Sequence, residues 1–192
     1  MHRSFYLGTL FLLSCSYPEN DEQKLRRYQG MGYQEMVEDI KTPEEAGWYI
    51  EHYIAKEENA SLEAYTFRET HERRKGDCSE AIVAAAALLS DDGYPLYALF
   101  FRSPLDVEKF PRHVVFVYQE NQKWGSLGLN VIDRQKPVFS TLEELAAQFP
   151  FKEYAFETLP VDNFPHWISG SGNLNVRKKF FGLSPLFHEI ER

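Results

Sequence analysis

The chain has 192 residues, 43% of them hydrophobic and 26% charged, which is the make-up of a globular protein with one core. A net charge of −8 and a pI near 5.3 speak against the basic face that a nucleic-acid binder needs. No run reaches the roughly 20 apolar residues of a membrane-spanning helix.

The first residues, "MHRSFYLGTLFLLSC", differ from the rest. A basic start at His2 and Arg3, an apolar run from Phe5 to Leu13 and the small Ser14 predict an export signal over residues 1–14. The ending "LLSC" resembles the bacterial lipobox, whose cysteine is acylated and becomes the new N-terminus. Cys15 is therefore the expected lipidation site, and the protein is expected to be exported and anchored to the membrane by that lipid. Polar "SYPENDEQKLRR" reads as flexible spacer, so residues 15–38 are predicted to be a tether and 39–192 the domain. With Cys15 lipidated, Cys78 has no intramolecular partner, and a lone thiol in an exported protein needs a reason.

Thr42, Pro43 and Glu45 open an amphipathic helix carrying Ala46, Tyr49, Ile50 and Tyr53 at helical spacing. "SLEAYTFRETHERR" predicts a second helix, with Leu62, Tyr65 and Phe67 facing inward. After Gly76-Asp77-Cys78, the segment to about Ser90 is apolar nearly all round, the pattern of a central, buried helix. It is expected to end at "DDGYP", where Gly93 can take a left-handed cap. "LYALFFR" predicts a strand and "SPLDVEKFPR" a loop. "HVVFVYQENQKWGSLGLN" predicts a hairpin turning near Asn121. Thr141 and Glu144 cap a further helix, and the Phe-, Pro- and Gly-rich tail after Phe149 carries no clear periodicity. Helices followed by an antiparallel sheet make an α+β plan.

Cys78 heads its helix, where the positive end of the helix dipole favours the ionised thiol, the nucleophilic form. Arg73, Arg74 and Lys75 add positive charge nearby, Asp77 opposes them, and Gly76 permits a tight approach to a helix that Asp77 can cap. Of six histidines, His113 is the best candidate base, because it opens an apolar strand at a sheet edge. His52 and His71 lie on helices that read as peripheral, His2 is in the signal, and His166 and His188 are in the tail.

Gly-Asp-Cys at the head of an alanine-rich helix, "DDGYP", and "RHVVFVYQENQKWGSLG" together resemble the transglutaminase-like superfamily over about residues 40–148. The resemblance implies a papain-like fold, with a nucleophile-bearing buried helix packed on an antiparallel sheet. It also implies Cys78 as nucleophile, His113 as general base, and an acidic residue two places after the cysteine, here Glu80. The family's third member, an aspartate near the end of the strand after the "KW" turn, falls on about Gly128, which has no side chain. Asn130 shares strand parity with Trp124, Ser126 and Gly128 and is favoured by a small margin. Asp133 is the alternative, which requires a loop to fold back, and Ser126 is weaker. The N–H of Cys78 is a natural oxyanion donor, and a second donor is not identifiable.

Such a chain would be a cysteine peptidase or amidase, or a transamidase, acting on a peptide, protein or other amide. The alternative is a catalytically silent domain that uses its groove for binding at the cell envelope. "ISGSGNLN" lacks the spacing of a phosphate loop or a serine elbow and reads as a turn. "NVRKKFFG" reads as a solvated edge, and no pair of histidines has metal-ligand spacing. No cofactor or metal is expected. No calcium loop is present, so a calcium-dependent animal-type transglutaminase is not expected.

Overall fold

The structure, a computed structural model, describes residues 19–57, 64–102, 113–159 and 187–190. The predicted signal, Cys15, His166 and the "SPLDVEKFPR", "ISGSGNLN" and "NVRKKFFG" segments lie outside or almost wholly outside these residues.

In chain order come α1 (Asp21–Gly30), α2 (Tyr33–Asp39), α3 (Pro43–Tyr53), β1 (Ala55–Lys56), α4 (Phe67–Arg73), β2 (Lys75–Gly76) and α5 (Cys78–Leu89). Then follow β3 (Tyr97–Arg102), β4 (His113–Glu120), β5 (Lys123–Leu127), a 3-10 turn (Val131–Asp133), β6 (Gln135–Phe139), α6 (Leu142–Ala146), β7 (Glu153–Thr158) and β8 (His188–Glu189). Six strands form one antiparallel sheet in the order β6-β5-β4-β3-β7-β8, while β1 and β2 pair in parallel as a short clip. Helices thus precede an antiparallel sheet, and the α+β class holds.

Both faces of the sheet are covered, which explains why β3 and β4 read as continuous apolar runs rather than alternating ones. Phe100, Val114 and Phe116 point into the cluster shared with α3 and α5, whereas Leu99, Val115 and Val117 point to the side of α6 and Phe149. Ser79 to Leu89 of α5 are all buried, enclosed by the sheet and by α2, α3 and α4. Five of those residues are alanines, whose small side chains let neighbours approach on every side.

Several expected elements appear with altered bounds. Residues 19–38, expected as tether, are two packed helices: Asn20 and Gln23 form a reciprocal cap on α1, and Tyr28 and Met36 are fully buried. A polar composition hid them because a surface helix needs only a narrow apolar stripe. The second predicted helix begins only at Phe67, behind the Thr66–Glu69 capping box. The predicted hairpin is present, with Asn121 and Gln122 both at positive φ, as a two-residue turn with the strands' own twist requires. Gly93 is left-handed at φ 77°, in the turn after α5. The start of the unassigned tail is β7, paired along the whole of β3. No helix among the described residues is long and apolar enough to cross a membrane.

Enclosure of α5 on all sides leaves no room for a larger side chain. Ala85→Leu is expected to lower stability by about 1–3 kcal/mol, read as a fall in the urea unfolding midpoint.

Candidate active site

The head of α5 is fixed before any chemistry is considered. The Asp77 carboxylate accepts the Ser79 N–H at 2.6 Å, and Glu80 reaches back to accept the Asp77 N–H at 2.7 Å, a reciprocal cap. The other oxygen of Glu80 accepts the Tyr65 N–H at 3.0 Å, so one carboxyl holds two chain segments to the helix. Glu80 is almost fully buried; that burial, and then the Asp77 carboxylate, push its pKa up to about 7. Gly76 is required in this packing, because a Cβ there would come within 2.7 Å of the Glu80 Cβ. With Ser79 and Glu80 bonded to Asp77, the Cys78 N–H is the first-turn donor that the cap leaves unclaimed among the described residues.

Cys78 is half-buried at this point, against the main core. Its thiol is within hydrogen-bonding reach of the His113 ring. His113, the first residue of β4, stacks on Phe151 at 5.7 Å and on Phe101 at 6.3 Å. Its Nε2–H donates to Asp133 Oδ1 at 2.7 Å, which leaves Nδ1 for the thiol. Burial alone would lower the His113 pKa. Hydrogen bonds to Asp133 and then Cys78, with the charges of both, outweigh burial and raise it to about 9.

Of Asn130 and Asp133, it is Asp133 whose side chain meets the His113 ring. β5 ends at Leu127, short of Asn130, so strand parity no longer governs where that side chain points. The 3-10 turn folds back and sets the fully buried Asp133 carboxylate against His113. Asn130 stands behind it: its N–H and its Nδ2–H both donate to Asp133 Oδ2, at 2.9 and 2.8 Å. The Ser126 hydroxyl donates to the Asp133 carbonyl at 2.7 Å. Arg134 ties the turn to α3 through Glu51 at 3.0 Å.

The remaining candidates fall away from the site. Arg73 pairs with Glu57 and lies over the Tyr65 ring, and Arg74 lies over Tyr53. His52 stacks on Trp48. His71 is buried rather than peripheral: Nε2–H donates to the Met31 carbonyl, and Nδ1 accepts from the Tyr49 hydroxyl. Burial lowers its pKa, so it serves as a neutral core residue. Among the described residues no group of three or more His, Cys, Asp or Glu is arranged to hold a metal ion. Sequence reasoning missed the part played by Gly128, for which the only signal was a glycine where a side chain was expected.

Compared with protein-family models and with curated proteins, the chain matches none.

The raised pKa of His113 links the site to stability. Its value unfolded is near 6.5 and folded about 9, so its contribution is complete below 6.5 and lost as pH rises through about 9. Asp133→Asn removes most of that contribution. The variant is expected to lose more stability at about pH 6 than at about pH 10, compared with the parent by urea unfolding at both.

Proposed function

We propose that this chain is a thiol-dependent acyl-transfer enzyme acting on amide bonds, a cysteine peptidase or amidase. Cys78 is the nucleophile, His113 the acid–base and Asp133 the orienting carboxylate. One observation carries the reading: a helix-head thiol lies in reach of an imidazole whose far nitrogen is bonded to a buried carboxylate.

His113 takes the thiol proton, and Asp133 stabilises the imidazolium while holding the ring in place. An imidazole that keeps its proton up to about pH 9 can hold it while the sulfur attacks the amide carbonyl. The carbonyl electron pair moves onto oxygen, towards which the Cys78 N–H donates. Collapse of the tetrahedral species breaks the C–N bond. His113 then protonates the leaving amine, and the acyl group stays on Cys78 as a thioester. Water, deprotonated by His113, releases the acid in a hydrolase; an amine acceptor would give transamidation.

The fold accompanies this reading as transglutaminase-like, that is papain-like. Support comes from the buried helix headed by cysteine, packed on an antiparallel sheet with histidine opening a strand. Placement at the cell envelope, through export and a lipid on Cys15, is part of the same proposal and rests on residues 1–15 alone.

The test is alkylation by iodoacetamide of the full chain carrying Cys15→Ser, which leaves Cys78 as the only thiol. At pH 6 the parent is expected to react at least about 100-fold faster than its His113→Ala variant, because the imidazolium keeps ionised a thiol whose free pKa is about 8.5. Equal rates in both proteins at every pH would remove the enzyme reading and leave the groove as a binding surface.

A further inference from the structure

Pairing of β4 with β5 sets Phe116 opposite Leu127 and Val117 opposite Ser126. One step beyond Leu127, that register would put residue 128 opposite Val115, on the face that carries the imidazole. Residue 128 is then the diagonal neighbour of His113, within reach of a side chain. A Cβ built on Gly128 would lie 2.6 Å from Asp133 Cβ, 2.9 Å from its Oδ2 and 3.0 Å from its Cγ. All three nearest atoms belong to one side chain. The space a residue would occupy from the strand is therefore filled, from the turn, by Asp133.

Two features make that substitution work. Gly128 leaves the space open. Asn130 accounts for the oxygen that His113 does not use, donating to Oδ2 from both its backbone and its side chain. Without those bonds the carboxylate would be buried with one oxygen bare, which is costly, and it would be free to rotate away from His113. Asn130 is steadied in turn by the Lys56 ammonium, 3.4 Å from its Oδ1.

We infer that Gly128 and Asn130 are positioning residues for the proposed acid–base pair, and that the carboxylate facing His113 can be supplied from residue 128 as well as from residue 133. The inference rests on the proposed roles of His113 and Asp133, but its readout does not require activity.

The experiment follows the His113 ring by NMR as a function of pH, in the full chain with Cys15→Ser. The variants are Asn130→Ala, Asp133→Gly, and Gly128→Asp combined with Asp133→Gly; thermal unfolding at neutral pH checks that each is folded. Asp133→Gly is expected to lower the His113 midpoint by about 1–3 pH units, the loss of a carboxylate partner. The double variant is expected to recover at least half of that loss. Asn130→Ala is expected to give an intermediate value while keeping a cooperative unfolding transition. A double variant titrating like Asp133→Gly alone, or Asn130→Ala titrating like the parent, would overturn the inference. Because the titration is read without turnover or alkylation, an alkylation rate indifferent to His113 would end the enzyme reading and leave this result standing separately.

Discussion

Burial of α5 on every side is the constraint on which the rest of the molecule depends. A helix with no solvent face must be covered by other elements. The sheet supplies one side, and α2, α3 and α4 the others. Even the polar N-terminal segment is drawn into this role, with Met36 of α2 reaching the same core. Only the helix ends escape full enclosure, and the N-terminal end carries Cys78. The cap formed by Asp77 and Glu80 and the β1–β2 clip then hold the sulfur at a fixed place beside the first residue of β4.

Around that point the molecule accommodates two buried carboxylates in different ways. Asp133 accepts from three donors, His113 Nε2–H and both nitrogens of Asn130, and its backbone is held by Ser126 and, one residue on, by Arg134. A carboxylate so completely bonded is fixed against the imidazole it faces and raises that ring's pKa. Glu80 has two backbone donors but shares its surroundings with Asp77, and its pKa rises to about 7 instead. One carboxyl orients a side chain, and the other fastens chain segments together. The sequence alone ranks neither, because each is an acidic residue in a mixed stretch.

The aromatic residues divide in a similar way. Phe101, Phe149 and Phe151 surround the His113 ring with apolar surface, so its charge is set by Asp133 and Cys78 rather than by water. Tyr49 and Tyr53 pack against His71 in the helical layer, where the same ring type is kept neutral. Two histidines in one small protein thus have opposite shifts, and the difference lies in what each ring nitrogen meets.

What the sequence determined by itself is what local chemistry dictates. The Asp77 cap, the apolar circumference of α5, the Asn121–Gln122 turn and the strands on either side are each encoded within a few residues, so their positions could be read directly. Cys78 and His113 were legible for the same reason: one heads a helix and the other opens a strand. Tertiary structure alone decided what depends on where the chain goes after an element stops. Strand parity favoured Asn130, but β5 ends at Leu127, and the turn beyond it returns Asp133 over a glycine. The polar segment from residue 19 became two packed helices because the core offered a face to cover, and β7 found its place only through pairing with β3. Long-range pairing and burial leave no period in the residues themselves, so these features exist only once the fold has formed.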